Sequence, residues 1–231
     1  MLDIVQRYVP VVNIARKNYN LDRRIVEVGG EGEGIGHYLK DFEVFDCDLR
    51  FDDRVLSNTM PFVIRKGKLP LVDDFADCVI AVDVFEHLSS QKEKRDLIRE
   101  MLRVAKKRIV LVIPTGKKGF LAHLKLADFI LKFYPKRNSV YLQEHLQYGH
   151  PEKKEILDLI RGVGCNLRVK TGGNTNIGLW FLFQKFYLKY PGFYRLFRYR
   201  NFWYYALSLF WPFLNFEPTM RTVFNIQIKD D

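Results

Sequence analysis

Short apolar runs rich in β-branched residues alternate with amphipathic stretches along the first half of this 231-residue chain. Residues 25–28, 44–48, 61–64, 77–83 and 108–113 read as five strands. Leu2, Ile4, Val5, Tyr8 and Val9 recur at helical spacing and predict a short N-terminal helix. Residues 91–104 predict a strongly amphipathic one, and a helix through about Lys40 is expected behind a cluster of glycines. Strand and helix alternating at this spacing imply a doubly wound α/β domain, its sheet parallel with right-handed crossovers. After Pro114 the pattern changes. Helices are expected over 120–133 and 152–163, a loop over 135–148 and a sixth strand over 165–171. An aromatic block, 172–219, then precedes residues 221–229, whose alternation suits an antiparallel closing strand, the seventh.

The glycines carry the first chemical signal. Gly29, Gly30, Gly32, Gly34 and Gly36 follow directly on the first strand. A strand turned sharply into a helix needs residues that reach positive φ and let a ligand lie against bare backbone N–H groups. A flexible glycine loop is the plainer reading. The second strand argues against it, because it ends in Asp46 and Asp48 at the distance that one helix and a turn require. The dinucleotide fingerprint wants glycines at i, i+2 and i+5, which no triplet here satisfies.

With residues 69–88 added, ending in Asp83, Glu86 and His87 after the fourth strand, the chain resembles the class I S-adenosylmethionine-dependent methyltransferases of the broad small-molecule group. The resemblance covers residues 24–114 well, with weaker echoes in 144–151 and in the last strand. It implies a Rossmann-like methyltransferase fold: one domain with a seven-stranded, mostly parallel sheet and an aromatic, basic helical insertion before the last strand. Its parts would be an N-terminal helix (1–20), a cofactor-binding half (21–115), an acceptor-side half (116–171), the insertion (172–219) and the closing strand (220–231). The cofactor implied is S-adenosyl-L-methionine, with Gly29, Gly30, Gly32 and Gly34 as its turn. Glu27 would be the strand-end acid that orders the turn or meets the cofactor ammonium through water. By position Asp48 is the expected ribose acid, since a carboxylate at a strand tip accepts both hydroxyls of a diol. Asp46 points to the same face and competes with it, Asp48 lying nearer the tip.

Two features depart from the family pattern. Where relatives read acid-x-Gly-x-Gly-x-Gly, Glu31 and Glu33 interrupt the glycines here, leaving their register open. After the third strand, where relatives often place an Asp for the adenine amine, this chain has Arg65, Lys66, Gly67 and Lys68. Asp83 is assigned beside the cofactor. Asp83, Glu86 and His87 have metal-ligand types, but a polar role beside donor or acceptor is the reading adopted, with no metal. By the same analogy His87 and His145 are the expected catalytic proton acceptors. His150 lies in the same loop as His145, and either could serve an attacking hydroxyl. His37 and His123 read as ordinary helix residues.

Charge and composition bear on partners. Residues 1–103 hold 16 Lys/Arg against 19 Asp/Glu, whereas 104–200 hold 19 against 5, so the net charge of +10 belongs to the second half. A nucleic-acid methyltransferase using that half is one alternative; the absence of an aromatic Pro-Pro run after the fourth strand and of a Pro-Cys nucleophile counts against it. A non-catalytic membrane-associated protein of the same fold is another. Residues 180–216 mix aromatic rings with Lys and Arg, and the uncharged run 202–216 is too short to cross a bilayer. It is expected to lie on an anionic membrane surface, with a lid over the sheet or a homodimer interface as the competing reading. The acceptor would then be small or lipid-like. Cys47, Cys78 and Cys165 are dispersed and read as reduced core residues. Asp3, Arg7 and Arg16 break up any signal-peptide core. A cytoplasmic protein, peripheral on the inner face of the membrane, is expected.

Overall fold

The computed structural model describes residues 2–17, 23–51, 54–135, 143, 146–163, 166–190 and 200–228. Seven strands form one sheet: β1 (Arg24–Val28), β2 (Glu43–Asp48), β3 (Thr59–Val63), β4 (Ala76–Val82), β5 (Ala105–Pro114), β6 (Leu167–Asn176) and β7 (Thr219–Ile228). Their spatial order is β3-β2-β1-β4-β5-β7-β6. β3, β2, β1, β4 and β5 are parallel neighbours, and β7 runs antiparallel between β5 and β6. The helices are α1 (Leu2–Lys17), α2 (Gln91–Val104), α3 (Gly116–Phe133), α4 (Lys153–Arg161), α5 (Ile177–Lys189) and α6 (Arg200–Leu214).

The period-2 alternation of the strands divides the core into two layers. Val26, Val79, Ile109 and Leu111 turn to the face covered by Ile98, Met101 and Val104 of α2 and by Ile156, Leu159 and Ile160 of α4. Ile25, Ile80, Val110 and Val112 turn to the other face, covered by Val5, Val9 and Val12 of α1 and by Tyr204 and Leu207 of α6. β4 is buried from end to end, as a central parallel strand with helices on both sides must be. The edge strand β3 leaves three of its five residues exposed and tolerates Pro61, because an edge has ladder positions to spare. A third cluster joins α3 to α5: Ala122 and Leu126 pack on Trp180 and Leu188, with Met220 beneath them.

Two expectations change. Behind the glycines there is a single 3-10 turn, Ile35–His37, in place of a helix. The Asn58 amide donates to the carbonyls of Gly36, Leu39 and Phe42, which supplies those acceptors with a partner other than a helical ladder. β6 runs on to Asn176, so the insertion begins inside a strand and then forms α5 and α6. The loop expected over 135–148 and Cys165 lie largely or wholly outside the described residues, whereas Cys47 and Cys78 are buried thiols.

Met101, fully buried, fixes α2 to the sheet. Met101→Ala is expected to cost about 2–5 kcal/mol of stability, read as a lower urea midpoint with an unchanged slope.

Candidate functional site

The C-terminal ends of β1, β2 and β4 open into a cleft of about 1730 Å³, the place where an open α/β sheet receives ligands. One wall is the glycine turn, and two buried acids shape it. Glu27, at the end of β1, accepts the Ile35 N–H at 2.7 Å and the Tyr8 hydroxyl at 2.7 Å. Asp46, its register partner on β2, accepts the N–H groups of Gly30 at 3.1 Å and Gly32 at 2.7 Å. The turn therefore folds around carboxylates, and its glycines make room for them. A Cβ on Gly34 would overlap the Glu27 carboxylate, and Gly32 holds φ +81° with Arg54 O 2.9 Å from where a Cβ would stand.

Two carboxyls side by side in the interior cannot both ionise easily. Burial, and then the charge of Asp46, push Glu27 up to about 8; burial pushes Asp46 up to about 7 against the opposing pull of its two N–H donors. Asp48 differs. It is half-buried, lines the cleft, and accepts the N–H groups of Glu31 at 3.1 Å and Leu49 at 2.6 Å. Burial raises it too, with those N–H groups opposing.

The second wall is ionic. Asp83, in the turn after β4 with φ +53°, is held by Arg221 through contacts of 2.8, 3.0 and 2.8 Å and by Arg7 at 3.0 Å. Arg221 enters from the first residues of β7 and is 3% exposed. Glu86 is buried beside them, and neither of its oxygens has a hydrogen-bond partner among the described residues. Burial, and then the charge of Asp83, raise it well above the usual carboxylate range. Two guanidinium groups thus converge on one carboxylate at this wall.

The third wall is the α3–α5 pair, which lends the cleft His123, Leu126, Ile130, Trp180, Gln184, Tyr187 and Leu188. His123 Nδ1 lies 2.8 Å from His150 Nε2, and its ring meets Trp180 edge to face at 4.9 Å.

The fold of this chain recurs in solved structures. A protein from Anabaena variabilis described as a methyltransferase of an antibiotic biosynthesis pathway superposes with TM-score 0.57 at 12% identity, covering 95% of this chain and 98% of that one. A SAM-dependent methyltransferase from Thermotoga maritima gives 0.53 at 14% identity, covering 99% and 100%. Phosphoethanolamine N-methyltransferase 2 of Haemonchus contortus, solved with phosphomonomethylethanolamine and S-adenosylhomocysteine, gives 0.55 at 12%, covering 96% of this chain and 52% of that one. The chain has the class I methyltransferase fold. No protein-family model matches it, and no curated protein matches it in sequence.

Within that fold the expected residues separate by role. Gly29, Gly30, Gly34, Asp48, Asp83 and His87 line the cleft. Glu27, Asp46 and Gly32 stand behind its surface: Glu27 orders the turn, and Asp46 holds it as well. Glu144 and His145 lie outside the described residues. Among the described residues no group of three or more His, Cys, Asp or Glu side chains is arranged to hold a metal; Asp83 is engaged by arginines instead.

Three groups went unread in the sequence. Arg7 and Tyr8 belong to a helix in which no chemistry was expected, and Arg221 falls on the polar face of an alternating strand, where it reads as solvent-facing. His123 was assigned to an ordinary helix, although the Gly119 that lets His150 approach lies one turn before it.

The raised acids set a pH dependence. Folded-state values above the unfolded ones mean that the folded protein holds extra protons between them, so stability present near pH 5 is lost as the pH climbs through about 7 to 8. The melting temperature of the free protein is expected to fall over that range, and Glu27→Gln to flatten the fall, as calorimetric scans would show.

Proposed function

We propose that the cleft binds S-adenosylmethionine and directs methyl transfer to a small or lipid-like acceptor. The arrangement of the glycine turn and Asp48 carries this reading: bare backbone and a half-exposed carboxylate face the same cleft at the tips of β1 and β2. The residues fit the donor. Asp48 accepts backbone N–H groups at both oxygens and retains lone pairs for a ribose diol. Gly30 and Gly34 present backbone to the amino-acid tail, and Arg7, paired with Asp83, lines the same cleft. Ile64, Leu69, Leu88 and Leu97 supply an apolar slot for a planar base. When bound, the donor supplies an electrophilic methyl group on a sulfonium centre. Methyl transfer is an in-line displacement, so most of what the protein must provide is orientation. The cleft volume exceeds the roughly 300–1,000 Å³ of a one-ligand site, leaving the α3–α5 wall for the acceptor. His87 is the polar side chain on the donor's side.

The aromatic block divides in two. Trp180, Leu188, Tyr204 and Leu207 are buried core and wall residues, as the lid reading expected. Phe202, Tyr205, Leu209, Phe210 and Phe213 form the outward stripe of α6, Leu209 being 74% and Phe213 76% exposed. No described helix is long and apolar enough to cross a membrane. Arg195, Arg198 and Arg200 precede the stripe in sequence, and each cation near an anionic surface is worth about 1 kcal/mol. These features support docking on an anionic bilayer, with an amphiphilic acceptor reaching the cleft from its edge.

Two outcomes are expected. Asp48→Ala costs about 2–3 kcal/mol in donor binding by calorimetry, the worth of a charge-assisted pair of hydrogen bonds; unchanged affinity would take Asp48 out of the site. The wild type floats with phosphatidylserine vesicles at low salt, and Phe210→Ser with Phe213→Ser stays at the bottom while binding the donor normally. A wild type that never floats but sediments as a dimer would assign the stripe to a second copy.

A further inference from the structure

We propose that the His123–His150 pair is the proton acceptor of the cleft, and that its substrate is an apolar molecule whose nucleophile is an ionisable hydroxyl. The proposal rests on the methyl-transfer reading of the site. Four observations carry it. First, the pair is built. Gly119 leaves only 3.1 Å between the place of a Cβ and His150 Nδ1, and Phe120 meets the His150 ring edge to face at 5.9 Å. The two imidazoles stand nearly perpendicular, at 88°, with Nδ1 of one 2.8 Å from Nε2 of the other. Second, His123 is 6% exposed, and what it exposes belongs to the cleft wall. Third, its neighbours on that wall are Trp180, Tyr187, Leu126, Ile130 and Leu188, an apolar lining suited to a hydrophobic body. Fourth, the Trp180 indole N–H is buried without a hydrogen-bond partner among the described residues, on the side chain whose ring meets His123 edge to face.

Chemistry selects the nucleophile. An imidazole is matched to a proton held by a weak acid such as a phenol or enol, and is far too weak to ionise an aliphatic alcohol. In the tautomer where His123 Nδ1–H donates to His150 Nε2, His123 Nε2 carries the lone pair. The acceptor oxygen's electron pair forms the new O–CH3 bond, and the C–S pair returns to sulfur, leaving neutral S-adenosylhomocysteine. The hydroxyl proton goes to His123 Nε2, and the positive charge is shared through Nδ1–H with His150. Among the described residues, the ionisable and charged groups that share the cleft with this wall include Asp83 with Arg221 and Arg7, His87, and Tyr187 on α5. The guanidinium groups of Arg7 and Arg221 line the cleft in which the oxyanion would form.

The test uses the full chain, labelled S-adenosylmethionine and two probes: 2-naphthol, neutral at pH 7.5, and a dinitrophenol, already ionised there. Wild type is expected to methylate both. His123→Ala should lower kcat for 2-naphthol by on the order of 10²–10⁴, with little effect on the ionised phenol and with recovery as the pH rises toward the naphthol's own ionisation. His150→Asn, which keeps a hydrogen-bonding group against His123, should give a smaller loss and a shifted acid limb of the pH profile. Nitrogen-15 spectra of the wild-type histidines, which need no variant, should show a coupled titration of two rings that 2-naphthol perturbs. Donor binding without transfer to either phenol overturns the acceptor class and spares the methyltransferase reading; failure to bind the donor ends both. Equal losses on the two probes make the pair a structural contact, and a loss confined to His87→Asn moves the role to His87.

Discussion

Everything at this site depends on two acids buried under a turn. Glu27 and Asp46 are register partners on adjacent strands, and between them they take the N–H groups of Gly30, Gly32 and Ile35. Backbone donors in the interior must find acceptors, and here they find them on two strands outside the turn. The acids meet that demand and in return lose their hydration, which is why both titrate high. A third partner, Tyr8, ties the same carboxylate to α1. The shape of the turn, the placement of α1 and the ionisation of the site are thus one coupled arrangement.

A similar coupling organises the opposite side. Asp83 leaves β4 in a left-handed conformation that few non-glycine residues adopt, and strain of this kind persists only where surrounding contacts over-determine it. Here the contacts come from both ends of the chain: Arg7 from the first helix and Arg221 from the last strand. Removing one partner of so buried a pair leaves an uncompensated charge. The closing of the chain on itself is therefore built into the cleft, and burial together with the charge of Asp83 raises Glu86 beside it.

Much of the architecture was legible in the residues. Strands of period 2 and helices of period 3.6 mark their own faces, so 25–28, 44–48, 77–83 and 108–113 announced themselves, as did α2 and the closing strand. The ordering of Asp48 ahead of Asp46 also followed from position: two residues apart on one face, the one nearer the tip must be the more accessible. The helix expected behind the glycines did not form, because its carbonyls are taken by Asn58, a residue from a different segment. Local pattern carries no information about a partner that arrives from elsewhere in the chain.

The same limit separates the two parts of the cleft. The sequence alone determined the succession of strands and helices of an α/β domain, the glycine turn and the acids at the strand tips, since each is marked by the residues of its own segment. Only the tertiary structure decided that Arg221 is buried on Asp83, that Tyr8 binds Glu27, that His123 and His150 meet, and that the aromatic block is half core and half surface. Those outcomes follow from contacts between residues 19 to 138 positions apart. Such contacts are set by how helices pack across a sheet, which hydropathy along a single segment does not encode.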